Sequence, residues 1–213
     1  APNTANWGYD LGAGGWGNNE LQTYTDNAEN VIVEGGFLKI TAKADGAGGY
    51  TSTRLLSQNL QDFTYGRVEI RAKLPEAQGT WPALWMLGSN FETVGWPTCG
   101  EIDIMEQTGW DKTKSSAAIH FPGNSAGNAP TSEIENTTST TEFNNYILEW
   151  TETQIIVSVN EEVFFTQENN DTKPFNGDFF FIMNIAMGGT LGGTVDPLFT
   201  ESTMEVDYIR MYQ

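Results

Sequence analysis

Hydrophobic and polar residues alternate along much of this chain, and that alternation predicts β-strands rather than helices. In residues 67–74, four apolar side chains fall on one face and four charged side chains on the other, as in a half-buried antiparallel strand. Residues 154–165 predict a hairpin with its turn near Asn160 and Glu161. Residues 179–186 are almost continuously apolar, which favours a central strand buried on both faces.

The rest of the pattern favours an all-β fold. A further strand is predicted at 204–212, and loops rich in Gly, Asn and Thr are predicted at 44–53, 122–141 and 188–203. No long amphipathic helix is evident. We therefore predict one domain over residues 1–213, a β-sandwich jelly roll of two antiparallel sheets with a concave substrate cleft on the inner sheet.

Three carboxylates stand within six residues of an otherwise apolar strand, Glu101-Ile102-Asp103-Ile104-Met105-Glu106. Side chains of a regular strand alternate, so Glu101 and Asp103 would share one face and Glu106 would point away. A β-bulge at Ile104 and Met105 shifts the register by one residue and returns Glu106 to the face of the other two acids. The sequence therefore predicts three acids along one wall of a cleft.

Such a group of acids has more than one chemical interpretation. Two carboxyls roughly 5 to 5.5 Å apart form the catalytic pair of a retaining glycoside hydrolase, one as nucleophile and the other as acid/base. Calcium binding is the chief alternative, because clustered carboxylates are also ligands of that ion. A solvated acidic surface is less favoured, since three apolar residues lie among the acids and indicate a buried side.

The charge of the chain restricts its partners. Ten Lys and Arg against 28 Asp and Glu give a formal net charge of −18 at pH 7, which argues against nucleic acid and anionic membranes as partners. A neutral polymer is the easier substrate for such a surface. Cys99 is the only cysteine, so the chain has no intramolecular disulfide and no pair of thiols for zinc. No apolar run is long enough to span a bilayer, and we expect a secreted monomer whose leader is absent from this sequence.

Two tryptophans are candidates for sugar binding. Trp81 and Trp85 are four residues apart and would face the same side of a strand, where indole rings stack on the apolar faces of sugars. Core packing is the alternative for either tryptophan taken alone. His120 is the only histidine, and without Ser or Cys partners at a triad spacing it is expected to be structural or to support the acids.

These motifs resemble those of one enzyme family. Residues 100–106, with Trp96-Pro97-Thr98-Cys99 before them, are similar to the signature of glycoside hydrolase family sixteen in its laminarinase-type endo-β-1,3-glucanase branch. Met105 favours the laminarinase-type branch, because the similar motif of the family's lichenases lacks this extra residue. The resemblance extends along nearly the whole chain, through residues 16–25, 53–55, 65–67, 81–85, 120–121, 184–189 and 206–210.

The resemblance implies roles for individual residues. It makes Glu101 the nucleophile, Glu106 the acid/base and Asp103 the carboxylate between them. The chemistry is consistent with these roles, because a nucleophile must be ionised while an acid/base must first hold a proton. The residues implied to line the sugar subsites are Asn19, Arg54, Trp81, Trp85, Trp96, His120 and Asn184.

A structural calcium is also implied by the resemblance, with the Gly36 carbonyl and Asp207 among its ligands. Another ligand normally comes from a strand before residues 7–11, and this sequence does not contain that strand. Because calcium takes six to eight oxygens, the site is expected to be incomplete. The resemblance implies a tryptophan after Gly188-Gly189-Thr190, as in many laminarinases, but this chain has Leu191 there. One platform for stacking on sugar rings is therefore expected to be missing.

We therefore expect a retaining endo-glucanase that acts on the neutral polysaccharide β-1,3-glucan and needs no cofactor for catalysis. Mixed-linkage β-1,3-1,4-glucan is the alternative substrate. A non-catalytic β-glucan-binding module is the main alternative function, but such a module has no need of both glutamates. A galactanase of the same family and a purely structural calcium-binding sandwich are further alternatives. The acidic surface and the tryptophan pair argue against a galactanase, and a purely structural calcium-binding sandwich would leave the tryptophan groove unexplained.

Overall fold

The computed structural model describes residues 1–213. Sixteen strands and two four-residue helices form the fold. Their bounds are β1 Gly8–Asp10, β2 Gln22–Tyr24, β3 Val31–Glu34, β4 Phe37–Ala44, β5 Tyr50–Ser52, β6 Arg54–Leu56, β7 Gly66–Lys73, β8 Thr80–Gly88, α1 Phe91–Val94, β9 Glu101–Glu106, β10 Lys114–His120, β11 Thr131–Glu135, β12 Asn144–Trp150, β13 Gln154–Val159, β14 Glu162–Glu168, β15 Phe179–Met187, α2 Gly189–Gly192 and β16 Glu201–Tyr212.

The strands form two sheets, which confirms the predicted sandwich. One sheet has seven strands in the order β1-β6-β15-β8-β9-β10-β11. The other follows the order β14-β13-β12-β7-β16-β4-β5-β2, and β3 pairs with β4 at its side. Strand pairs are antiparallel except for one, because the three-residue strands β2 and β5 run parallel. The acids lie on β9, near the middle of the seven-stranded sheet.

The local sequence explains the main strands. β7 alternates buried and half-buried positions, as its apolar and charged residues require. Every residue of β15 is buried, which fits a central strand covered on both faces. Asn160 and Glu161 join β13 to β14 with φ angles of +50° and +70°. Two successive positive φ values are typical of the type I′ turn whose twist matches a hairpin.

One apolar core lies between the sheets. It contains 31 buried residues drawn from both of them, such as Ile70 of β7 and Ile119 of β10. A smaller cluster lies on the other face of the seven-stranded sheet, where Leu87, Cys99 and Phe180 are among the buried residues that pack with Trp85. Every helix is far too short to cross a membrane.

The three predicted loops were wrong in part, because each contains a short element. Residues 44–53 include β5, residues 122–141 include β11, and residues 188–203 include α2 and the start of β16. β11 is an edge strand whose outward positions are polar, so its composition is similar to that of a loop.

Candidate active site

A β-bulge brings the three acids to one face, as predicted. Against β10, Glu106 pairs with Ser116 and Asp103 with Ala118, so two residues of β9 oppose the single residue between those partners. Against β8, the register is interrupted at the same place, between the partners of Asp103 and Met105. Ile102, Ile104 and Met105 are therefore fully buried in the core. The acids lie on the opposite face of the sheet.

The acids differ in exposure and in partners. The Asp103 side chain is 5% exposed and that of Glu101 is 17% exposed. The indole Nε1–H of Trp81 donates a hydrogen bond of 2.9 Å to Oε1 of Glu106. Nε2 of His120 lies 3.1 Å from Oδ2 of Asp103 and 3.6 Å from Oε1 of Glu101. The three carboxyls therefore have two neutral or weakly basic neighbours and no directly contacting lysine or arginine.

Burial dominates the electrostatics of this face. It raises the pKa of Glu101 well above its usual range, and the charge of Asp103 raises that pKa further, while His120 and Arg54 lower it. Burial and the charge of Glu106 likewise raise the pKa of Asp103 well above its usual range. The pKa of Glu106 is raised by burial and lowered by the Trp81 hydrogen bond.

Three carboxylates on one water-poor face cannot all be ionised at neutral pH, so the group retains a proton. Asp103 is the most buried of the three, and Arg54 lowers the pKa of Glu101 but not that of Asp103, which favours the proton on Asp103. A neutral Asp103 removes the charge that raises the pKa of Glu101. Arg54 and His120 then favour an ionised Glu101, the state that a nucleophile requires.

A row of register partners crosses all seven strands of the sheet. Its members are Asp10, Arg54, Asn184, Ala83, Glu106, Ser116 and Glu133. At about 4.8 Å per strand the row is about 29 Å long. The side chain of Ala83 is small, so it leaves space beside Glu106, its register partner on β9. Trp81 and Trp85 stand on either side of it along β8, which confirms that the two indoles share a face.

Arg54 is held between two indoles. Its guanidinium carbon lies 5.0 Å from the ring centre of Trp16 and 4.8 Å from that of Trp85. Its Nε lies 2.9 Å from Oδ2 of Asp10. Stacking and the ion pair together fix the direction of the remaining guanidinium N–H groups, which suits a donor that must meet a sugar hydroxyl.

A chain of hydrogen bonds orients the Trp85 indole. Nε1–H of Trp85 donates to Oδ1 of Asn184 over 2.8 Å, and Nδ2–H of Asn184 donates to the Tyr24 hydroxyl over 3.0 Å. The Tyr24 hydroxyl donates in turn to Oε2 of Glu20 over 3.3 Å, and Gln22 Nε2–H donates to the same oxygen over 2.6 Å. Both polar atoms of Asn184 are thus engaged inside the protein. Asn184 therefore orients the Trp85 indole.

The remaining predicted site residues lie near this face. The ring centre of Trp96 lies 5.7 Å from that of His120, and Trp96 is 44% exposed. Asn19 is exposed, has a φ of +57°, and follows Trp16 in the same loop. Beyond Glu106, the indole of Trp110 is 60% exposed beside a depression of about 100 Å³ that Glu106 also lines.

Sequence reasoning missed several of these residues. Trp16, Glu20 and Tyr24 all lie in the motif 16–25, of which only Asn19 was assigned a role. The alternation of Glu20, Gln22 and Tyr24 was a usable signal, because residues two apart in a strand share a face. Trp110 offered no such signal, since its neighbour Gly193 comes from a distant loop.

The residues present do not fit a calcium ion on their own. Oδ2 of Asp207 lies 2.5 Å from Nη1 of Arg71, so a guanidinium already neutralises that carboxylate. The Gly36 carbonyl and one carboxylate supply far fewer than six oxygens. Glu101, Asp103 and His120 also approach one another closely enough to hold a metal, with ligand atoms within 4.8 Å, although hydrogen bonding at the other nitrogen of His120 opposes that use.

The fold and the site together are those of a polysaccharide hydrolase: a group of buried carboxyls flanked by indole rings on one face of a β-sandwich. A family model for glycosyl hydrolases family 16 matches residues 18–210. The chain belongs to this family.

Three relatives illustrate the similarity. The chain is 40% identical to a β-glucanase of Rhodothermus marinus over 231 residues, covering 100% of this chain and 80% of that protein. It superposes on the laminarinase of Flavobacterium sp. UMI-01 with a TM-score of 0.95 at 40% identity, covering 100% and 95% of the two chains. Against a LamA variant from Z. galactanivorans in complex with laminaritriose and laminaritetraose, the TM-score is 0.90 at 38% identity, covering 100% and 94%.

Proposed function

We propose that this protein is a retaining endo-β-1,3-glucanase that cleaves laminarin-type glucan, with Glu101 as nucleophile and Glu106 as acid/base. The bulge in β9 carries this proposal, because it turns Glu106, a member of the row that crosses the sheet, to the same face as Glu101. That row continues on both sides of the acids, to Asp10 on one edge strand and Glu133 on the other. A site open at both ends suits cleavage inside a chain.

The reaction proceeds in two displacements. Glu101 attacks the anomeric carbon, the bond from that carbon to the glycosidic oxygen breaks, and Glu106 gives its proton to the leaving oxygen. Water then attacks the covalent glycosyl-enzyme while Glu106 takes a proton from it, and Glu101 leaves. Two inversions return the original β configuration. The route needs carboxyl groups alone and no cofactor.

Asp103 and His120 support the pair. The buried carboxyl of Asp103 holds the proton that would otherwise be shared with Glu101. His120 offers an N–H near both carboxyls. On the flank of Trp85, the stacked Arg54 supplies directed N–H donors beside an apolar platform, a combination that suits sugar rings with equatorial hydroxyls.

The complex of a relative with laminari-oligosaccharides supports β-1,3-glucan as the substrate class. A binding module without catalysis is disfavoured, because Glu101 and Glu106 would then be two buried acids with raised pKa and no purpose in binding. We further propose that the protein acts as a monomer outside the cell, with the neutral polysaccharide as its partner.

Replacement of the nucleophile tests the function. Glu101→Ser should reduce laminarin hydrolysis by at least a thousandfold while the far-UV spectrum, the melting temperature and laminarin binding stay close to those of the parent. Glu162→Ser, in the exposed hairpin end of β14, is the matched control and should keep full activity. Near-normal turnover by Glu101→Ser would end the assignment.

Product analysis separates the substrates and the stereochemistry. Laminarin, lichenan and agarose are digested side by side, and the first products from laminarin are followed by proton NMR. The proposal expects internal fragments from laminarin with the β-anomer formed first. Initial α-anomer would refute retention, and products from agarose alone would refute the substrate.

A further inference from the structure

His120 is placed between the acids and a loop. It ends β10, its side chain is 14% exposed, and Nε2 faces the carboxyls of Asp103 and Glu101. The other ring nitrogen faces away from the acids. The backbone N–H of Ala126 donates a hydrogen bond of 3.1 Å to Nδ1 of His120.

That second contact determines where the ring carries its proton. An N–H can donate only to a nitrogen that has a lone pair, so Nδ1 is unprotonated. The neutral imidazole therefore carries its proton on Nε2, which points to the acids. The opposite tautomer would place an Nδ1–H against the Ala126 N–H and a lone pair against the carboxyls.

The loop that carries Ala126 is internally bonded. Phe121 and Asn124 exchange backbone hydrogen bonds of 3.0 and 2.9 Å, which closes a tight turn directly after His120. Ala126 has a φ of +50°, an uncommon conformation for alanine. The amides of Asn128 and Ala129 then bond back to Ser125 and Ala126 over 3.1 and 3.0 Å. These contacts hold a strained residue whose N–H points at the histidine.

We propose that the loop of residues 121–129 is a positioning element for catalysis, in which the Ala126 amide holds His120 as the Nε2–H tautomer. The protonated Nε2 then lies 3.1 Å from Oδ2 of Asp103 and 3.6 Å from Oε1 of Glu101. An N–H near Oε1 of Glu101 favours the anion that attacks the sugar. The same tautomer keeps Nε2 without the lone pair that a metal would need.

The tautomer can be observed directly, because His120 is the only histidine and gives one set of ring signals. Long-range proton–nitrogen correlation on 15N-labelled protein near pH 7.5, without substrate, should show a protonated Nε2 and an unprotonated Nδ1. A protonated Nδ1 in the parent protein would overturn the proposal. This measurement does not depend on activity, so it can refute the tautomer without refuting the proposed function. Only the effect on kcat tested below rests on the proposed function.

Removal of the donor alone tests the effect on catalysis. Incorporation of lactic acid at position 126 replaces the amide by an ester, which deletes the N–H and keeps the methyl side chain. We expect both tautomers to appear in the spectrum and kcat on laminarin to fall about tenfold with little change in KM. The same ester at Ala28, an exposed residue whose backbone N–H has no hydrogen-bond partner, is the matched control and should retain both the tautomer and kcat. Unchanged ring signals in the ester at position 126 would overturn the proposal, as would an unchanged kcat.

Discussion

The hydrogen bond from Trp81 to Glu106 should set the alkaline limit of activity. Trp81→Phe removes the indole N–H that lies 2.9 Å from Oε1 of the acid/base. Because this donor lowers the pKa of Glu106, its loss should raise that pKa. A hydrogen bond to a charged group is worth about 1.5–3 kcal/mol, and Trp81 is only 8% exposed, so the bond is sheltered from water. Because one pKa unit corresponds to about 1.4 kcal/mol, the alkaline limb of the pH–activity profile should move to higher pH by about 1–2 units.

The assay is kcat/KM on laminarin across the pH range, since this quantity reports the ionisations of the free enzyme. Trp85→Phe is the matched control, because it makes the same change four residues along β8. The Trp85 indole donates to the neutral amide of Asn184, so its loss should leave the alkaline limb in place and raise KM. A limb that does not move in Trp81→Phe, or that moves to lower pH, would refute the assignment of Glu106 as the acid.

Three further predictions follow from the same geometry. Asp103→Asn should raise the melting temperature at pH 7 by about 2–4 °C per kcal/mol gained. Because the pKa of Asp103 is raised in the folded state, this residue destabilises the folded protein as the pH rises above its unfolded-state pKa near 4. Calorimetry should therefore find no gain from the substitution below that pH. Tyr24→Phe breaks the chain that orients Trp85 and should raise KM for laminarin about 3- to 10-fold with kcat nearly unchanged in steady-state kinetics; an unchanged KM would contradict it. Deletion of Met105 should turn Glu106 to the core face and lower kcat/KM by at least about a hundredfold, which an active, folded deletion variant would disprove.

The acid face could be predicted from the sequence because it depends on local rules. Strand periodicity is two, so Glu101 and Asp103 must share a face and Glu106 can join them only through a bulge. The buried positions of Ile104 and Met105 follow from the same count. Likewise, two residues at the tip of a predicted hairpin are enough to indicate a turn with positive φ.

The relays could not be predicted, because they join residues that are distant in the chain. Tyr24 meets Asn184 across 160 positions, and no local pattern indicates which strands become neighbours. The tautomer of His120 depends on one backbone N–H in a loop whose composition is that of many loops. The strand β11 was missed for a related reason, since an exposed edge strand lacks the apolar run on which such predictions depend.

The distribution of charge explains why the acids keep a proton. Six of the ten Lys and Arg residues lie on strands of the nine-stranded sheet, where most are paired with carboxylates of that same sheet or its connections. Arg54 is the one arginine near the acids, and it already forms an ion pair with Asp10. No cation is therefore close enough to ionise Glu101, Asp103 and Glu106 together. The proton retained on Asp103 reduces the negative charge of this face, and burial keeps the pKa of Glu106 raised, so placing the cations on the opposite sheet serves the chemistry of this face.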